Sequence, residues 1–212
     1  MNMFLSALRA SLVTFVLCGL IYPFAVTGLG QLLFPFEANG SLVRASDGTV
    51  IGSALIGQQW TGPEWFHGRL SATTDTDPAD PAKTIPAPYN AANSSGSNLG
   101  PTSKSLKERL AADRHDLEAA LPDLAGKMLP ADMITASASG LDPHITPANA
   151  ALQISGVAAA RGTSPEKIAD LLKRHIEGRA LGVFGERRVN VLELNRELDQ
   201  AFPRNPNYKT NE

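Results

Sequence analysis

The chain has 212 residues, 19 Lys+Arg against 21 Asp+Glu, a formal net charge of −2 and one cysteine, Cys18. So weak an acidic balance argues against a nucleic-acid partner, which needs a basic face for phosphates. A lone cysteine excludes disulfides and cysteine-based metal centres, so any folded domain must be held by its core alone.

The N-terminal part is an apolar run, with no charged residue between Arg9 and Glu37. A bilayer core of about 30 Å takes about 20 apolar residues as helix, and residues 10–34 supply that length. A single strand in lipid could not satisfy its own N–H and C=O groups, so the run is predicted to be a transmembrane helix. A cleaved signal sequence has an apolar core of only about 7–15 residues and a small-residue cleavage site, and neither fits here. Arg9 flanks one side of the run, and no basic residue follows the other side until Arg44. The positive-inside rule then puts residues 1–9 in the cytoplasm and residues 35–202 outside it. Ala10, Thr14 and Cys18 recur every fourth residue, as do Ala7 and Ser11, giving small-residue rows that let helices approach in lipid. Pro23 is expected to kink or loosen the helix near its middle.

About 175 residues remain, enough for one domain with a sizeable core. Residues 41–56 predict a hairpin turning at Asp47-Gly48, with Val43, Val50 and Ile51 as β-branched flanks. Trp60, Trp65 and Phe66 form the densest aromatic cluster. Burial in a core is preferred for it over a partner-contact patch. Residues 73–88 are rich in Pro, Asp and Thr without apolar period, which predicts a solvated, flexible loop.

Helical spacing returns at 104–121, where Leu106, Leu110, Leu117 and Leu121 share a face. Ser105 and Glu108 fit a capping box, and Pro122 ends the helix. The Ser/Gly-rich segment before it could bind an anion at the helix start, although no GxxxxGK[ST] loop exists and a structural turn is the default. Ile134 and Thr135 suggest a short strand, followed by a small-residue loop at Ser137, Ser139 and Gly140. Thr146-Pro147 is a helix start. Ser137, Ser139, Asp142 and His144 together invite a hydrolase reading, but no GxSxG elbow is present and contiguous residues establish no triad.

Residues 164–176 predict a helix capped by Ser164, with Ile168, Leu171, Leu172 and Ile176 on one face. With the helix before it and the turn at Arg161-Gly162, this could pass for a helix-turn-helix, against ordinary helix packing. Asn190 caps a last helix carrying Val191, Leu194, Leu198 and Phe202. Residues 203–212 are predicted to be a disordered tail. His67, His115, His144 and His175 show no ligand spacing, and no catalytic residue or metal-ligand set emerges.

Several segments are more specific than any of these signals. GQQW at 57–60, FHGRLSA at 66–72, YN at 89–90, SGSNLGPT at 95–102, ADMITASASGLDPHITPANAALQ at 131–153, ARG at 160–162 and HIEGRALGVFGERRVNVLELN at 175–195 follow one membrane helix. In that order they resemble the KdpC family, the small C subunits of bacterial Kdp-type potassium-transporting P-type ATPases, over nearly the whole chain. The resemblance implies one membrane helix carrying one mixed α/β extracytoplasmic domain in the bacterial inner membrane. It implies a non-catalytic subunit needed for assembly and activity, with a channel-like A subunit and an ATP-hydrolysing B subunit as partners beside membrane lipid. It also implies a rise in the ATP affinity of the B subunit, with Ser137, Ser139, Gly140 and Gln153 likened to a nucleotide-contacting signature. ATP would then be the only cofactor, reached through the catalytic subunit. The charge rule sets this loop on the side away from ATP, so an effect on nucleotide would run through coupling in the complex. The alternative is a membrane-tethered extracytoplasmic ligand-binding or hydrolytic domain.

Overall fold

The computed structural model describes residues 2–45 and 47–204. They fall into two compact units that divide between Ser53 and Ala54.

In the first unit, helix α1 (Asn2–Phe15) continues through a π-helical stretch, Val16–Ile21, into α2 (Tyr22–Leu33). Met3–Leu33 is one helix of 31 residues, long and apolar enough to cross a membrane. The π stretch is the form that the expected distortion at Pro23 takes. Pro23 lacks an N–H, and its ring would clash with the carbonyl four residues back in a regular α-helix. Widening the preceding turn moves that carbonyl aside, and Tyr22 N–H bonds to Leu17 O, five residues back. A short turn of helix, α3 (Pro35–Ala38), leads to the antiparallel pair β1 (Leu42–Arg44) and β2 (Val50–Ser53). The predicted Asp47-Gly48 turn closes it: Thr49 N–H donates to Asp47 Oδ1 (2.9 Å), and Gly48 sits at φ 86°.

The second unit contains the rest. Residues 73–88 are a hairpin and not the expected loop: β3 (Thr74–Asp77) pairs with β4 (Asp80–Pro86). An exposed ribbon needs no apolar alternation. Its turn is instead held by Asp77 Oδ1, which accepts from Ala79 N–H at 2.8 Å. Helix α4 (Lys104–Ala120) starts two residues earlier than a capping box at Ser105 would require. Its N-cap is Ser103, which places Ser105 inside the helix. The leucines of α4 are only half-buried. A 3-10 turn at Pro122–Leu124 follows, as Pro122 suggests. The expected strand at Ile134-Thr135 is instead the short helix α5 (Ala131–Ile134). Extended backbone begins at Thr135 (φ −108°, ψ 136°), and Ala136 bridges Leu70 in parallel.

Next come β5 (His144–Ile145), α6 (Pro147–Arg161), α7 (Pro165–Arg174), β6 (Ile176–Glu177), β7 (Arg188–Asn190) and α8 (Val191–Ala201). The strands form a small antiparallel sheet in the order β5-β7-β6. Ile176, read as helical, belongs to β6. The helix starts are as predicted: Thr146 Oγ1 accepts from Asn149 N–H (3.1 Å), and Asn190 Oδ1 accepts from Glu193 N–H (3.3 Å). Gly162, left-handed at φ 65°, closes α6 and lets α7 pack back on it. Phe66, Ile145, Val157, Ile168, Leu171, Val189, Leu194 and Leu198 make the core, with Trp60 and Trp65 packed against it. The aromatic cluster is thus a core element, as preferred. Of the predicted tail, residues 205–212 lie outside the described residues.

Candidate functional site

The motif segments meet around residues 64–73, an extended stretch held mainly by side chains. Asn195, fully buried on α8, accepts from Phe66 N–H at Oδ1 (2.9 Å) and donates Nδ2 to Phe66 O (2.8 Å). Gln153, buried on α6, does the same one residue on: Oε1 accepts from His67 N–H (2.8 Å) and Nε2 donates to His67 O (3.1 Å). Two side-chain amides therefore take the place of neighbouring strands and satisfy buried backbone groups. Arg161 continues the row. Its Nε donates to Glu64 O (2.9 Å), its Nη1 to Asp199 (2.8 Å) and Phe202 O (2.9 Å), and its guanidinium lies 4.4 Å over the Trp65 ring.

On the same stretch, Ser137 N–H donates to Leu70 O (2.9 Å). Tyr89 Oη donates to Arg69 O (2.6 Å), and its ring lies so close to Gly57 and Gly68 that neither position has room for a Cβ. That contact explains the glycines of GQQW and FHGRLSA together with the tyrosine of YN. Burial, with Asp142 nearby, pushes Tyr89 up to about 12, so it remains a donor.

The turn at 137–141 is built from its own hydroxyls. Ser137 Oγ accepts from Gly140 N–H (3.1 Å) and lies 3.1 Å from Ser139 Oγ, which accepts from Leu141 N–H (3.1 Å). Ser71 Oγ donates to Gly140 O (2.8 Å), and Ser94 Oγ donates to Ser139 O (3.0 Å). Gly140 has φ 69°, and a Cβ there would meet Thr73 Cγ2 and lie 2.7 Å from Ser95 O. Gly96 backs onto Ala138 as closely, with 2.6 Å from its notional Cβ to Ala138 O. The glycine-rich segment before α4 is thus a structural clasp on this turn, its default reading.

Two clefts flank the turn. Arg69 and Asp142 line both; one, of about 390 Å³, also takes in Asp132, His144, Phe184 and Arg188, and the other takes in Ser137, Ser139 and Leu141. Arg69 Nη1 donates to Asp142 Oδ2 at 3.1 Å, with the two side chains 26% and 28% exposed. Partial burial would raise Asp142. Hydrogen bonding from His144, whose N–H donates to Oδ1 at 3.0 Å, and then the Arg69 guanidinium outweigh it and hold Asp142 at about 2. A folded-state value below the ordinary 3.8 means the contribution is complete above pH 4 and is lost as pH falls through about 2. Thermal melts between pH 4 and pH 2 are expected to lose about 1–2 kcal/mol from this group, and Asp142→Asn to remove that part of the pH slope. An unchanged slope in the variant would refute the assignment.

Of the residues likened to a nucleotide signature, Ser137, Ser139 and Gly140 share one turn. Gln153 lines neither cleft, and its amide is committed to His67 and, at 2.8 Å, to Asn149. Asn149 in turn donates to Asp132 (3.1 Å), which also binds Thr146 N–H (2.7 Å). Among the described residues no serine–histidine hydrogen bond joins the Ser137, Ser139, Asp142 and His144 grouping. The motif segments contain Asn195 and Arg161, but only the folded chain gives them a role, holding the backbone of Phe66 and Glu64. The available signal was an amide in the apolar stripe of α8, between Leu194 and Leu198, where only a hydrogen-bonded Asn is tolerated.

Comparison with known proteins extends the likeness over nearly the full length. A family model described as KdpC, the c chain of K+-transporting ATPase, matches residues 4–200. A potassium-transporting ATPase KdpC subunit of Rhodopseudomonas palustris (strain TIE-1) is 55% identical over 189 residues, covering 89% of this chain and 92% of that one. Another, from Rhodopseudomonas palustris (strain BisB5), is 53% identical over 193 residues, with 91% and 94% covered. That of Methylobacterium nodulans is 55% identical over 185 residues, with 87% and 90% covered.

Proposed function

The chain belongs to the KdpC family of potassium-transporting ATPase subunits, and from that premise we propose that it is the accessory, non-catalytic subunit of an ATP-driven potassium uptake system. The observation that carries this reading is the extent of the family match, which takes in both the apolar helix and all the motif segments of the second unit. The internal use of the turn hydroxyls supports a structural role for the motifs over a hydrolytic one.

In this reading α1 and α2 cross the bacterial inner membrane with Asn2 in the cytoplasm and the second unit outside. A channel-like A subunit takes up potassium, and a B subunit holds and hydrolyses ATP. The chain fixes the arrangement of these partners at the potassium entrance, and any rise in ATP affinity is transmitted through the complex. Contact of nucleotide with Ser137, Ser139, Gly140 and Gln153 would require ATP on the same side as the second unit. Nucleotide crosslinking to residues 137–153 in the intact complex tests that point.

Co-expression with the two larger subunits tests the whole. Co-purification and potassium-stimulated ATPase activity that falls when this chain is omitted are expected. A chain that purifies alone and leaves the activity unchanged would overturn the proposal. Topology has its own test, because Cys18 is the single native cysteine. In a Cys18→Ser background, a cysteine placed at the exposed Lys107 is expected to react with a membrane-impermeant thiol reagent in intact spheroplasts. Reaction only after lysis would reverse the orientation.

A further inference from the structure

The compact unit that holds the long helix does not end where the helix ends. It runs on to Ser53 and takes in the β1–β2 hairpin. The join between them, residues 34–41, is dense in hydrogen bonds. Pro35 drives the residue before it out of the helical region, and Phe34 turns the chain at φ −136°, ψ 56°. Helical bonds bracket the bend: Phe34 N–H donates to Gly30 O (2.8 Å), and Ala38 N–H donates to Phe34 O (2.9 Å). Gly40 N–H then donates to Glu37 O and Ser41 N–H to Phe36 O, both at 3.0 Å. Ser41 is 3% exposed at φ 51°, a left-handed backbone that a serine keeps only where its surroundings impose it.

Asn39 pins this join. Its Nδ2 donates to Pro35 O (2.6 Å) and to Gln31 Oε1 (3.1 Å). Gln31 is the only amide side chain in the uncharged run between Arg9 and Glu37. At the end of an apolar helix an unpaired amide is costly, and Asn39 supplies its partner. Pro35 O is among the carbonyls that a helix end leaves over. The far end of the hairpin is tied in as well, because Ser53 Oγ donates to Gly40 O (2.7 Å). The bonds thus run without a break from α2 through Asn39 and Gly40 to the last residue of β2. We infer that Gln31, Asn39 and Ser53 lock the β1–β2 hairpin to the membrane-crossing helix as one rigid lever, so that a tilt or turn of the helix in the bilayer swings the hairpin with it. The inference rests on the reading of α1–α2 as crossing the membrane and on no assumption about partners.

The contrasting design is a slack tether. Eight unconstrained residues would span about 15 Å root-mean-square, with a spread of the same order, and helix motion would be absorbed at the join. Flexible linkers are rich in Gly and Ser, but here the two residues of that kind, Gly40 and Ser41, are the ones held by backbone bonds. Each side-chain bond adds a preference for the locked form of roughly two- to tenfold. Asn39 makes two of the three, so it carries most of the lock. Loss of Gln31 alone removes one bond and loosens the join less.

The test uses the full chain in lipid vesicles. In a Cys18→Ser background, Phe24→Cys and Val50→Cys place one spin label on the helix and one on β2, at positions whose side chains are exposed. Pulsed dipolar spectroscopy is expected to return a single narrow distance distribution. Asn39→Ala is expected to widen it at least about twofold, and Gln31→Leu to widen it less. Glu37→Ala is the control, because the Glu37 carboxylate takes part in none of these bonds, and it is expected to leave the width unchanged. A broad distribution in the unsubstituted chain, or one that stays narrow in both Asn39→Ala and Gln31→Leu, would overturn the lever. If Asn39→Ala fails to fold, judged by the fluorescence of Trp60 and Trp65, the Gln31→Leu comparison decides. A chain that alkaline washing strips from the vesicles defeats the membrane-crossing reading first and the lever with it. One that stays in the bilayer with a broad distribution defeats the lever alone.

Discussion

Replacing Asn195 by Leu is expected to cost about 3–5 kcal/mol of folding stability, the larger of the two strongest effects forecast for this chain. Leucine keeps asparagine's branching at Cγ but is larger, so some overpacking adds to the loss of hydrogen bonding, which is the main effect. Asn195 bonds both polar groups of Phe66, and both residues are fully buried. Without the amide, Phe66 N–H and Phe66 O lie in an apolar core with no partner, and each orphan carries a penalty of about 1–3 kcal/mol. Domains are stable by only about 5–15 kcal/mol, so the substitution removes a large share of the margin. Urea unfolding of the full chain in detergent, followed by fluorescence of Trp60 and Trp65, measures it. A change below 1 kcal/mol would mean that water or a shifted backbone replaces the amide. Gln153→Leu acts on His67 in the same way and more mildly, because His67 is half-buried.

The second strong effect is at Gly140. Alanine there must adopt a left-handed backbone and must also overlap Thr73 and the carbonyl of Ser95. Backbone strain and overpacking together are expected to cost about 2–4 kcal/mol. The same substitution at Gly100 is the control. It lies in the neighbouring motif, but no atom comes within 4 Å of its added methyl, and its φ is not positive. There the change is expected to remain within about 0.5 kcal/mol. Equal effects at the two glycines would show that Gly140 is not tightly clasped. If Gly140→Ala also weakens assembly of the ATPase while the folded fraction holds, the 137–141 turn acts beyond its structural role.

The elements that were legible share a physical cause. The uncharged run after Arg9, the Asp47-Gly48 turn, the caps at Thr146 and Asn190, and the apolar stripes of α7 and α8 all depend on residues within about one or two turns of each other. Where the local signal was ambiguous, the assignment failed. Thr and Asp at 73–88 suit a loop or an exposed ribbon equally, and only pairing with residues across the turn decides for the ribbon. Ile134 is a β-former that ends a helical turn, because Asp132 on that turn is bound by Thr146 and Asn149, while Thr135 beyond it is extended as expected. Tertiary contact overrides a propensity worth only about 0.5 kcal/mol per residue.

From the sequence alone came the apolar membrane-crossing candidate, the mixed α/β character and the family, because length, charge and motif order are properties of the chain as written. Which motif residues support which others came only from the folded state. Asn195 reaches Phe66 across 129 positions, and Gln153 reaches His67 across 86. A bond between a side chain and a distant backbone leaves no periodicity and no spacing in the sequence. It exists only once burial removes water as the competing partner.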